Sequence, residues 1–210
     1  MSAEVAGIVL NTLYVSTTPV IIAAALGTPL AAWLHIRGGR AAAALKALFN
    51  GFVGMPTVLL GLLLYLLLAR TGPLGSLQLL YTLDAVVIGH TVLVLPLYLS
   101  FALTALEGVD PRLREVADMF RFSFWRTAAL HVREAAASLA ASYGRAVGEL
   151  GIALMLGGDM RYRTRVLTTA IAHETMLGNW DAAIQLGVIL LAISLAVSAA
   201  VTALGFRYRG

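Results

Sequence analysis

Arg145 and Glu149 stand four residues apart in the stretch GRAVGELG (144–151), inside an apolar run from 135 to 156. At helical spacing the two share one face, a turn apart. An isolated charge near mid-bilayer costs about 2.5–3.5 kcal/mol on insertion scales. Two chemistries fit such a pair. It neutralises itself and fixes how its helix packs, or its helix lines a path along which Arg145 offers a passing anion a transient partner. The planar guanidinium fork suits tetrahedral oxyanions, and Glu149 would then keep the attraction weak enough for release. Gly144, Gly148 and Gly151 add a small-residue stripe that permits close helix approach, a candidate dimer seam.

A second cluster lies in GGDMRYRTRVLTTAIAHETMLGNW (157–180), too polar to span a membrane and too apolar for a plain loop. Residues 164–176 fit a short re-entrant or interfacial helix. Arg161, Arg163 and Arg165, with Thr168 and Thr169 beyond them, could focus anions or meet acids on a docked protein; solvation and lipid-headgroup contact are the simpler and favoured reading. His173 and Glu174 adjoin one another, but without a third ligand they make no metal site. His90, beside Thr91, is expected as a hydrogen-bonded interior histidine. Asn11, Thr12, Thr17 and Thr18 either line a path or bond back to their own helix.

The third cluster is VDPRLREVADMFRFSFWRTA (109–128). Asp110 is a good N-cap and Pro111 suits the first helical position. Leu113, Val116, Ala117 and Phe120 recur as one apolar face, and Arg114 pairs with Asp118 on the other. A second short turn from Ser123 projects Phe124 and Trp125. Such a helix needs lipid or a protein groove to cover it.

The elements that position these clusters follow from composition. The 210 residues are 60% hydrophobic and 12% charged, about half the charged share of a soluble domain, so the solvent is a bilayer. A spanning helix needs about 20 apolar residues, and stretches 5–36, 43–69, 85–106, 135–156 and 182–204 qualify. The chain is therefore expected as a single all-α domain over 1–210, a polytopic membrane bundle of about five helices. Pro19, Pro29, Pro56 and Pro96 are kink sites. No basic region with a cleavage site precedes the first stretch, so no removable signal peptide is expected.

Arginine supplies 14 of the 15 basic residues, and they sit in short loops, which fits membrane topology rather than nucleic acid. With five spans, Arg37, Arg40, Lys46, the 109–128 arginines, Arg207 and Arg209 share one side. The positive-inside rule makes that side cytoplasmic and the N-terminus external. Arg161, Arg163 and Arg165 fall outside, against the trend. There is no cysteine, hence neither disulfide nor thiolate site.

Several motifs together carry a resemblance. EVADMFRFS (115–123) resembles the Glu-Ala-Ala loop of binding-protein-dependent ABC importer permeases, the segment that docks on the ATPase subunit. Glu115 and Ala117 match its first and third positions, Val116 replaces an alanine, and Arg121 stands where glycine is usual. MPTVLLGLLLYLLLARTGPLG (55–75), GRAVGELGIALMLGGDM (144–160) and TRVLTTAIAHET (164–175) flank it in the right order. Together they look like the tungstate-type branch of the molybdate and tungstate permeases, with Asp159 where asparagine is expected.

That resemblance implies a type I ABC importer core in a prokaryotic cytoplasmic membrane. It implies two identical permeases, two ATPase subunits and an extracytoplasmic binding protein. It assigns Arg114, Glu115, Ala117, Asp118, Phe120, Arg121, Ser123, Phe124 and Trp125 to ATPase coupling. The chain has no G-x-x-x-x-G-K-[ST], so ATP and Mg belong on the partner chain. Tungstate is the first expected cargo, with molybdate next and sulfate further off. The alternative class is a secondary carrier for a small anion, which predicts inverted repeats; none is visible. An intramembrane hydrolase would need G-x-S-x-G or H-E-x-x-H, and neither occurs.

Overall fold

The computed structural model describes residues 3–107 and 132–207. Its helices, in chain order, are α1 (Ala3–Arg37), α2 (Gly39–Val53), α3 (Thr57–Leu68), α4 (Leu83–Glu107), α5 (Val132–Val147), α6 (Leu167–Met176) and α7 (Trp180–Arg207). A 3-10 turn (Gly75–Leu77) precedes α4, and a π-helical turn (Ala153–Gly157) follows α5. No strand occurs among the described residues. The whole 109–128 loop, with every residue assigned above to ATPase coupling, lies outside them.

Each of the five apolar stretches is helical, but two are not single helices. Ala3–His35, Leu83–Thr104 and Trp180–Ala203 are long and apolar enough to cross a membrane unbroken. The second stretch is split at Gly54–Met55–Pro56 into α2 and α3, bent by 99°. Proline cannot donate to the preceding turn and its ring clashes there, so α3 starts afresh after Pro56. The fourth stretch is interrupted at residues 148–150. Pro19 and Pro29, by contrast, are accommodated within one 35-residue helix.

Three apolar clusters hold the bundle. Ala23, Val94, Tyr98, Leu99 and Ala146 join α1, α4 and α5. Val15, Leu60, Val86, Ile152 and Leu156 join α1, α3 and α4 to the π turn. Ile8, Leu167, Ala170 and Leu186 pack α6 between α1 and α7. Outside them the surface is apolar: Leu62, Leu63, Leu66 and Leu67 on α3 and Ile184, Val188, Leu191 and Leu195 on α7 are all exposed. That pattern suits lipid, which leaves no driving force to bury leucine.

Pro19 explains one interior contact. Without an N–H it leaves the carbonyl of Val15, four residues earlier, unbonded within α1. In hydrocarbon such a group needs an internal partner. His90 of α4 supplies it, donating from Nδ1 to the Val15 oxygen at 2.8 Å. The ring is buried as expected, and its Nε2 has no partner among the described residues.

Candidate functional site

The interruption at 148–150 is built around the charged pair. α5 closes with Arg145 in its last turn, where a cation complements the helix dipole. The chain resumes its helical course at Gly151, and the first N–H groups there have no intrahelical acceptor. Glu149 meets both needs. One carboxylate oxygen accepts from Arg145 Nη1 at 2.6 Å, and the other from the backbone N–H of Ile152 at 3.2 Å. The Glu149 side chain is 2% exposed and that of Arg145 36%. The pair is thus a bridge between two half-helices rather than a rung on one continuous face.

The glycines of the stretch divide in the same way. A Cβ at Gly144 would meet nothing within 4 Å, and one at Gly148 only the Gly144 carbonyl at 3.6 Å. Both are exposed beside Arg145. Gly151 lies past the break and against α3, where a Cβ would come 3.0 Å from Val58 Cγ2. The expected single stripe is therefore two features, an open face on α5 and a tight contact on α3.

Beyond the break, residues 151–157 are wedged between α3 and α4. A Cβ on Gly89 would approach Ile152 Cγ2 to 2.5 Å and Leu156 Cδ1 to 2.6 Å, and one on Gly61 would reach Met155 Cβ at 3.2 Å. The carbonyls that end the π turn are taken up outside it. Leu156 accepts from the Tyr81 N–H at 2.8 Å, and Gly157 from Thr164 Oγ1 at 2.6 Å. Asp159 then adopts φ 47, a left-handed conformation that aspartate and asparagine share, so its replacement of the expected asparagine leaves the backbone at ease.

α6 occupies the segment read as a short interfacial or re-entrant helix. It is tied to the break, since Thr168 Oγ1 donates to the Glu149 carbonyl at 3.1 Å. Thr169 is buried and exchanges hydrogen bonds with the Val166 backbone at 3.0 and 3.1 Å. Both hydroxyls are engaged on backbone. Asn11 and Thr12 of α1 clamp the same segment: Asn11 Nδ2 donates to the carbonyls of Arg163 and Arg165, each at 3.1 Å, and Thr12 Oγ1 accepts from the Leu167 N–H at 2.8 Å.

Two of the three arginines in the segment have internal partners. Arg161 grips Glu4 with two hydrogen bonds of 2.7 Å, and that carboxylate raises the guanidinium pKa above the ordinary arginine range. Arg165 binds Asp159 at 3.0 and 2.9 Å, with His173 Nδ1 3.5 Å from the same carboxylate. Arg163 is exposed and has no ion pair among the described residues. Among the described residues the expected anion-collecting trio is thus one cation without an ion pair and two matched pairs. Glu4 was silent in the sequence, because 157 residues separate it from Arg161; Asp159, six residues before Arg165, was within local reach. No cluster of metal-ligating side chains occurs among the described residues.

No protein-family model matches the chain. Curated relatives do. It is 39% identical over 206 residues to a probable anion ABC transporter permease protein of Haloferax volcanii, covering 94% of this chain and 87% of the relative. It is 32% identical over 205 residues to the tungstate uptake system permease protein TupB of Peptoclostridium acidaminophilum, covering 96% and 90%. The molybdenum transport system permease protein ModB of Azotobacter vinelandii is 28% identical over 190 residues, covering 80% and 82%. Identity above 30% along nearly the full length of two such relatives, on a helical bundle with an apolar exterior, leads to one conclusion: the chain belongs to the tungstate/molybdate ABC transporter permeases.

Proposed function

We propose that the chain is the translocating subunit of an ATP-driven, binding-protein-dependent oxyanion importer of a prokaryotic cytoplasmic membrane. Tungstate is its foremost cargo and molybdate the next. Two copies pair around the path. Separate ATPase subunits, carrying ATP and Mg, grip the 109–128 loop of each copy. A binding protein delivers the anion at the end that carries α6, which is external, with the C-terminus in the cytoplasm. ATP-driven closure draws the loops together and rocks the pair between inward-open and outward-open states.

The observation that carries this reading is the interrupted fourth stretch. Broken helices at membrane depth are tolerated where they line a cavity or lie within protein. Here the break holds a partly exposed arginine beside two exposed glycines, Gly144 and Gly148. Lipid is an unfavourable neighbour for that face; a second copy and a water-filled path are favourable ones. Glu149, buried beneath, keeps Arg145 from holding an oxyanion too tightly.

The test is reconstitution. The chain, purified from membranes in mild detergent with whatever it retains, is placed in liposomes and assayed for ATP-dependent uptake of labelled tungstate, with molybdate and sulfate as competitors. Uptake that needs a co-purified P-loop ATPase supports the reading. Transport without any ATPase, driven by an ion gradient alone, overturns it.

A further inference from the structure

A cavity of about 610 Å³ opens between the first turns of α1, helix α6 and the start of α7. Its volume lies within the range of small-ligand sites. Two arginines, Arg161 and Arg165, and two glutamates, Glu4 and Glu174, line it together with His173 and Gln185. The rest of its wall is apolar, with Val5 and Ile8 from α1 facing Leu186 and Ile189 from α7. Trp180, exposed at the first turn of α7, heads the exposed stripe Ile184, Val188, Leu191 and Leu195. Tryptophan at the end of such a stripe marks the level of the lipid headgroups. The cavity therefore runs from a charged mouth at that level toward the hydrocarbon.

We propose that this crevice holds one zwitterionic phospholipid, its phosphate on Arg161, its ammonium between Glu4 and Glu174, and the upper part of an acyl chain along Val5, Ile8, Leu186 and Ile189, while Arg165 stays on Asp159. Charge decides against an anion alone. Arg161 and Arg165 with Glu4, Glu174 and the Asp159 that holds Arg165 sum to one negative charge, and both arginines already hold carboxylates, Arg161 on Glu4 and Arg165 on Asp159. An incoming oxyanion would displace a carboxylate and leave it unpaired, a costly exchange in a partly dry site. A zwitterion brings its own cation for the displaced carboxylate, so the number of ion pairs is kept. An anionic lipid fails on the same ground as the free oxyanion.

Native mass spectrometry of the purified complex tests this, with dioleoyl phosphatidylethanolamine, dioleoyl phosphatidylglycerol and sodium tungstate as probes. The expected result is a single phosphatidylethanolamine per chain that survives activation stripping phosphatidylglycerol. Glu4→Gln, at the half-buried first turn of α1, removes one ammonium partner and should weaken retention about tenfold, as loss of a charge-assisted hydrogen bond does. Ala182→Trp narrows the crevice and should abolish retention; tryptophan fluorescence melting of both variants establishes that they fold. Equal retention of the two lipids, retention unmoved by a folded Ala182→Trp or Glu4→Gln, or displacement of the lipid by tungstate would each overturn the proposal. None of these outcomes bears on whether tungstate is carried, which the uptake assay reads separately.

Discussion

The carboxylate of Glu149 lies 2.6 Å from the guanidinium of Arg145 across a gap in the helix, not along it. The same carboxylate caps the segment that resumes at Gly151, through the N–H of Ile152. Position and pairing are therefore one device, which lets a span be broken without stranding either charge.

Substitutions separate the two duties of that device. Glu149→Gln keeps an oxygen for Ile152 and leaves a partly exposed arginine, so the fold should hold. Glu149→Ala loses cap and counter-charge together, and about 1.5–3 kcal/mol with them. Arg145→Met strands a buried carboxylate and should lower thermal stability, which the double variant Arg145→Met/Glu149→Gln recovers. If Arg145 serves the passing anion, the recovered double variant still transports at least about tenfold more slowly, a barrier increase of about 1.4 kcal/mol. Melting in detergent and tungstate uptake, measured on the same preparations, read the two effects; restored uptake in the double variant would assign the pair to packing alone.

Gly89 and Gly144 should respond oppositely to a single methyl. At Gly89 an alanine Cβ would sit 2.5 Å from a branched methyl of Ile152, and overpacking of this kind costs about 1–3 kcal/mol. At Gly144 nothing lies within 4 Å, so Gly144→Ala should melt like the parent. If that open face meets a second copy, Gly144→Leu should shift the complex toward lone permeases in size-exclusion light scattering. An unchanged dimer carrying Gly144→Leu would move the seam elsewhere.

How far the sequence foretells this arrangement depends on the range of the interaction involved. The helical bundle and its five apolar stretches follow from hydropathy, a property of consecutive residues. Pro56 announces a discontinuity, but the 99° bend depends on what α2 and α3 pack against. The break at 148–150 leaves a local trace, an acid flanked by Gly148 and Gly151, that helical periodicity alone masks, because residues 145 and 149 stay close whether the helix continues or stops. The partner of Arg161 leaves no trace at all, since only the tertiary fold carries Glu4 to it.

Pro19 and His90 offer a test of interior wiring. His90→Leu removes the donor to the Val15 carbonyl and should destabilise the protein by about 1–3 kcal/mol, the cost of an unsatisfied buried acceptor. Pro19→Ala restores an N–H within α1 that can take over that carbonyl. The two effects should therefore be non-additive, with Pro19→Ala/His90→Leu more stable than His90→Leu alone. A strictly additive cycle in detergent melting would detach His90 from the proline and leave its burial to packing.

Glu115 lies outside the described residues, and its expected role rests on the resemblance of its segment to the ATPase-docking loop. That segment reads as a short amphipathic helix with Arg114 and Asp118 on its polar side, so an acid at 115 is not needed for the helix to form. Glu115→Ala should therefore leave membrane insertion and dimer formation unchanged. Transmission is different, because a helix seated in a groove on another chain loses a charge-assisted contact worth about 1.5–3 kcal/mol, enough to reduce the docked fraction more than tenfold. The expected result is a complex that keeps basal ATP hydrolysis while binding-protein stimulation and tungstate uptake fall together. Uptake that stays coupled to hydrolysis at the parental ratio would remove Glu115 from the coupling path and shift the search to Phe124 and Trp125, the aromatic residues further along the same loop.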